Sequence, residues 1–104
     1  MNPPVKMLFI FVDENDTWEE APLYRAIARR NLQLDLAGAT VQAGIMGFGS
    51  HGHLHRKGLF GISDDRPVTI TVIDEEEKLR RALPELRLMV KEGLMVLVDA
   101  ELAG

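Results

Sequence analysis

The sequence predicts an α+β fold of order βαββαβ, a four-stranded antiparallel sheet with both helices on one face. Two observations carry that expectation. Short apolar stretches at Val5–Val12, Ala39–Ile45, Val68–Ile73 and Leu94–Val98 have the length and composition of strands. Two intervening segments repeat apolar residues every three or four positions, as amphipathic helices do. With 104 residues there is room for one domain and one core, so residues 1–104 are expected to form a single domain.

Val5–Val12 is short, β-branched, aromatic and almost wholly apolar, which reads as a buried strand. Asp13 to Thr17 follows as a turn. Thr17 with Glu20 has capping-box spacing and announces a helix, while Pro22 is comfortable only in a first helical turn and moves the cap later. Leu23, Ala26, Ile27, Arg30 and Leu34 trace that helix, which should stop at Leu34 to Leu36 with Asp35 left-handed. Ala39–Ile45 is the second strand, and a Gly- and His-rich loop at about 46–66 follows. Pro67 opens the third strand, where Val and Thr alternate and imply one wetter face. Asp74 with Glu77 is a second capping box. Leu79, Ala82, Leu83, Leu86 and Val90 form the second helical stripe, which Pro84 should kink or split. Lys91 and Gly93 are stop signals before the last strand. This order is the ferredoxin-like arrangement.

Composition excludes several classes of function. The chain is 46% hydrophobic and 27% charged, so it is neither disordered nor low-complexity. Its longest apolar runs fall far short of a membrane span, and no cationic leader precedes them. The absence of cysteine removes disulfides and thiol chemistry and fits a cytoplasmic location. A net charge of −4 argues against nucleic acid as a partner, and the basic, aromatic platform of an RNA-binding sheet is missing.

The strands predict self-association. A sheet with both helices on one side should be polar at alternate positions on the other. The first strand instead offers Met7, Phe9 and Phe11 on one side and Leu8, Ile10 and Val12 on the other. The last strand sets Leu94, Val96 and Val98 against Met95 and Leu97. Leaving about five such side chains in water forgoes on the order of 10 kcal/mol, comparable to the stability of a small domain. Another subunit must cover that face, unless the long loop half-buries one strand.

The segment Gly44 to Gly58 concentrates the chemistry. His51, His53 and His55 are followed by Arg56 and Lys57, and Gly44, Gly47, Gly49 and Gly52 let a ligand approach the main chain closely. Backbone N–H groups, with Phe48 beside them, and the adjacent cations favour a phosphate-bearing ligand. Two other readings of the same residues stand beside it. His51, His53 and His55 lie on one side of an extended strand and suit zinc, copper or nickel, although no carboxylate lies between them. Alternatively the loop is solvated and its histidines pack at a subunit boundary.

Catalysis finds little support. Glu14, Asp16, Glu19 and Glu20, like Glu75, Glu76 and Glu77, are explained by capping and the helix dipole. Ser50 and Ser63 lack a nucleophile context, and Trp18 and Tyr24 read as packing residues.

The combination Glu14-x-Asp16-x-Trp18-x-x-x-Pro22-Leu23-Tyr24, Ala37-Gly-Ala-Thr-Val41 and Gly44-Ile-Met-Gly-Phe-Gly49 with His55 resembles the PII-like proteins of domain of unknown function 190, an uncharacterised protein family of the GlnB/CutA-like superfamily. Asp74-Glu-Glu-Glu77, Leu83-Pro-Glu-Leu86, Met89-Val90 and Gly93-Leu94 extend the likeness over nearly the whole chain. The resemblance implies a ferredoxin-like homotrimer with adenine nucleotides (AMP, ADP or ATP) in clefts between subunits. It also implies that the loop at Met46 to Arg66 reports occupancy to a regulated protein partner, and that signalling rather than catalysis is the task. Four positions depart from the family pattern. Asp13, Glu20 and Asp35 stand where glycine is usual, and Arg66 stands in place of an apolar residue.

Overall fold

Nine residues, Val5–Asp13, form strand β1 of the computed structural model, which describes residues 3–48, 54–56 and 66–104. β1 is central because both of its edges are paired. It runs antiparallel to β7 (Pro67–Glu75) on one side and to β8 (Leu94–Ala100) on the other. β4 (Thr40–Ala43) completes the four-stranded sheet on the far side of β7, in the order β4-β7-β1-β8. Helices α1 (Leu23–Gln33) and α2 (Glu76–Met89) provide the crossovers of a ferredoxin-like fold.

Alternation along the strands sorts the sheet into two faces. Leu8, Ile10 and Val12 of β1 and Val68, Ile70 and Val72 of β7 are buried with Leu23 and Ile27 of α1 and with Leu79, Leu83 and Leu86 of α2. Burial of each such side chain is worth about 1.5–3 kcal/mol, so this layer holds the helices to the sheet. The Thr residues of β7 lie on the opposite face, as the Val–Thr alternation predicts.

At the start of α1 the structure follows the later cap that Pro22 suggested over the capping box, and at the start of α2 it departs from the sequence expectation. Thr17 and Glu20 make no capping box. Thr17–Trp18 (β2) pairs with Ala21–Pro22 (β3) in a tight hairpin, and α1 begins only at Leu23, whose N–H donates to the Asp16 carbonyl at 2.7 Å. Pro22, lacking an N–H, fits immediately before that helix. Asp74 does not cap α2 either. Its carboxylate accepts from the Ala37 N–H at 2.9 Å and the Glu75 N–H at 2.7 Å, which ties the turn after α1 to the end of β7. The Glu76 N–H at the start of α2 donates to the Pro4 carbonyl instead. Pro84 does not split α2, which continues to Met89. The side chains flanking that proline, Leu83 and Leu86, are buried, and their burial offsets the single backbone bond a proline forfeits.

The hairpin and the end of α1 carry left-handed backbone at Glu19 (φ 48°), Glu20 (φ 69°) and Asp35 (φ 62°). Asp35 was expected there, and Glu20 and Asp35 are two of the three positions where the resemblance leads one to expect glycine; Asp13, the third, is not left-handed. A residue with a Cβ pays roughly 1–2 kcal/mol in this region, and glycine returns part of that gain as unfolded-chain entropy. Glu20→Gly is therefore expected to stabilise the fold by about 1 kcal/mol, measurable as a raised denaturant midpoint with an unchanged slope.

Asn31 of α1 is the buried polar residue of the core, 1% exposed, and neither its Nδ2 nor its Oδ1 has a hydrogen-bond partner among the described residues. A buried amide left unsatisfied costs about 1–3 kcal/mol. Asn31→Leu, nearly isosteric, is expected to raise stability by about that amount in chemical denaturation; a loss of stability would show that the amide has a partner.

Candidate functional site

The long segment after β4 is rooted at two points. Gly44 donates its N–H to the Pro67 carbonyl at 2.6 Å, and a Cβ at Gly44 would lie 2.8 Å from Pro67 Cγ, so the backbone approaches the start of β7 more closely than a side chain allows. At the other root the Glu14 N–H donates to the Arg66 carbonyl at 2.9 Å. Arg66 answers through its side chain, with Nη2 at 2.7 Å and Nε at 3.2 Å from Glu14 Oε1. This charge-assisted pair holds the Arg66 guanidinium above its usual pKa. The helix-dipole reading of Glu14 is thereby replaced. α1 starts at Leu23 and has no acidic residue in its first turn, whereas Glu14 clamps the start of β7 to the end of β1. Asp16 closes the same turn by accepting the Asp13 N–H at 3.0 Å. The dipole reading holds for α2, where Glu76 and Glu77 lie in the first turn.

The segment expected to be loop contains a short hairpin. Strand β5 (Met46–Phe48) pairs with β6 (Leu54–Arg56), with Met46 opposite Arg56, Gly47 opposite His55 and Phe48 opposite Leu54. The structure therefore brings Gly47, Phe48, His55 and Arg56 onto one ladder, and Gly44 stands just before it. Gly49, His51, His53 and Lys57 lie outside the described residues, as do Gly52, Ser50 and Ser63. Among the described residues no group of three or more His, Asp or Glu side chains is placed to hold a metal ion. Trp18 and Tyr24 pack half-buried against the core.

The second feature of the site is the uncovered face of the sheet. In register across β7, β1 and β8 stand Ile73, Met7 and Val98, then Thr71, Phe9 and Val96, then Thr69, Phe11 and Leu94. Thr40 and Gln42 of β4 continue the latter two rows. The face is thus polar over β4 and the early part of β7, and apolar over β1 and β8. Phe9 and Phe11 stack with ring centroids 6.2 Å apart. Phe11 is 40% exposed, Val98 42% and Leu94 59%, and no described residue covers them. Sequence reasoning identified this face from period-two alternation alone.

This fold is shared with two solved structures. CPII from Thiomonas intermedia K12, a nitrogen regulatory PII-like protein bound to ADP, AMP and bicarbonate, superposes with a TM-score of 0.71 at 20% identity, covering 97% of this chain and 90% of CPII. The divalent ion tolerance protein CutA1 from Ehrlichia chaffeensis superposes with a TM-score of 0.66 at 12% identity, covering 98% and 86% respectively. The architecture is that of the PII-like and CutA-like proteins. Residues 5–102 match DUF190, described as Uncharacterized ACR, and the chain belongs to that family. It is 36% identical to a UPF0166 protein of Aquifex aeolicus over 96 residues, 92% of this chain and 90% of the relative. It is 35% identical to the UPF0166 protein MJ1524 of Methanocaldococcus jannaschii over 95 residues, 90% and 87% of the two chains.

Proposed function

We propose that this protein is a non-enzymatic, cytoplasmic, PII-like sensor: a single-domain chain that forms a homotrimer and binds an adenine nucleotide in the clefts between subunits. The observation that carries the reading is the apolar sheet face of Met7, Phe9, Phe11, Val96 and Val98, which the chain's two helices leave open. Closure of copies around that face removes it from water and creates crevices where the copies meet. The β5–β6 segment extends from the sheet beside such a crevice. Gly44, Gly47, Phe48 and Gly49 shape its backbone, Arg56 and Lys57 meet the phosphate, and His51, His53 and His55 tune the charge around it. The similar fold of CPII, a protein bound to ADP and AMP, supports the choice of nucleotide.

Calorimetry against AMP, ADP, ATP and cyclic dinucleotides tests the reading. Binding tighter than about 1 mM, weakened when Arg56 and Lys57 are replaced by alanine, is the expected result. No binding to any of them overturns it. Elemental analysis after dialysis against zinc, nickel and copper separates it from a metal-binding role for His51, His53 and His55. Stoichiometric metal that disappears in the triple His→Ala variant, without nucleotide binding, would favour metal.

A further inference from the structure

On the helical side of the sheet, we infer that the groove between the β2–β3 hairpin and α1 is a docking site for an acidic segment of a partner protein. The groove encloses about 260 Å³. Its floor includes the half-buried Ala26 and the buried Met89, Trp18 lines it from the hairpin, and Arg25 and Arg29 line it from α1. The inference stands apart from nucleotide binding, since none of these residues belongs to the segment assigned to the nucleotide.

Two observations point to an acidic occupant. Arg25 and Arg29 lie one helical turn apart, so their side chains rise on one face. Neither has a carboxylate partner among the described residues, nor has Arg87 of α2, whereas Arg66 is paired with Glu14, Arg80 with Glu76, Arg81 with Glu77 and Arg30 with Glu85; Arg25 and Arg29 differ from Arg87 in lining one groove together. In a chain of net charge −4, the two guanidinia outnumber the one carboxylate, Glu19, that lines the same concavity, and their planar forks match carboxylates.

The same geometry favours a protein segment over a free small molecule. The volume is below the ~300 Å³ at which pockets for whole ligands begin, and it suits one anchoring side chain flanked by charges. The apolar floor takes an aliphatic anchor and the arginines take acidic neighbours. Glu19 also lines the groove and opposes such a segment. Its removal therefore strengthens binding, whereas loss of the arginines weakens it.

Trp18 is the sole tryptophan of the chain, so its emission reports occupancy without a label. The probe is the peptide Glu-Glu-Leu-Glu-Glu, titrated at low salt into the full-length protein. Saturable change in Trp18 emission with Kd below about 1 mM is expected, falling in affinity as salt is added. Arg25→Gln with Arg29→Gln raises Kd about tenfold or more with the far-UV circular dichroism unchanged, and Glu19→Gln lowers it. No saturable change overturns the inference, as does unchanged affinity in the folded double variant or weaker binding in Glu19→Gln. Inorganic phosphate or a single-stranded oligonucleotide binding as tightly as the peptide overturns it too, since the groove would then be a general anion site. Nucleotide affinity is the same in the double variant as in the wild type, so this test and that of the sensor reading fail separately.

Discussion

Phe9→Glu, and more completely Phe9→Glu with Val96→Glu, is expected to convert the proposed homotrimer to monomers while leaving each chain folded. These two residues face each other directly across β1 and β8 on the uncovered side of the sheet. Each substitution withdraws about 1.5–3 kcal/mol of apolar burial from the subunit contact and adds the cost of desolvating a carboxylate. A loss of ~4 kcal/mol per copy weakens association on the order of a thousandfold. The core on the other side of β1, built on Leu8, Ile10 and Val12, does not touch the altered positions, so the helical circular dichroism should persist. Light scattering on the purified variants reads the outcome. A variant with the wild-type mass would mean that copies do not meet through this face.

Gly93→Ala carries the second large effect. A Cβ at Gly93 would lie 2.4 Å from the Phe11 carbonyl oxygen, 2.7 Å from Val90 Cγ1 and 3.1 Å from Val12 Cγ1. The first of these is backbone in the central strand and cannot swing aside. β8 would have to separate from β1 where Leu94 pairs with Phe11, and the core would be overpacked at Val90. Overpacking of this kind costs about 1–3 kcal/mol, and each kcal/mol lowers the Tm of a domain this size by roughly 4–8 °C. Gly38→Ala is the control, since nothing lies within 4 Å of a Cβ there. Thermal unfolding of both variants at one protein concentration decides the point. Equal midpoints would show that the approach at Gly93 is loose.

These two residues illustrate what the sequence does and does not disclose. The open face at Phe9 was legible because strand periodicity is a property of neighbouring residues, and the same is true of the α2 stripe from Leu79 to Leu86. Gly93 read only as a stop signal after a helix. Its actual constraint comes from Phe11 and Val12, more than eighty positions earlier, and no local pattern encodes it. The capping box at Asp74 and Glu77 failed for a related reason. The Asp74 carboxylate is engaged by Ala37, and Glu76 finds its acceptor in Pro4, so tertiary partners displaced the local motif. Pro84 was expected to kink or split α2; it does not split it, and the burial of Leu83 and Leu86 holds the helix in one piece.

The candidate site was legible in a different degree. Glycines, histidines and adjacent cations marked the segment as unusual in composition, and the pairing of Gly47 with His55 shows that part of it is an ordered ladder. The clamp between Glu14 and Arg66 was missed, although Arg66 had been noted as out of pattern. An ion pair between residues 52 positions apart leaves no periodic trace, and only the meeting of β1 and β7 brings the two together.

Sedimentation equilibrium of the unmodified protein at micromolar concentration tests the central claim, that the apolar face of β1 and β8 is closed by further copies. The expected mass is three times the 11.6 kDa of the chain. A single species of 11.6 kDa, stable on dilution and concentration, would contradict the account, because the face would then stand in water and the proposed nucleotide cleft would lack its second wall.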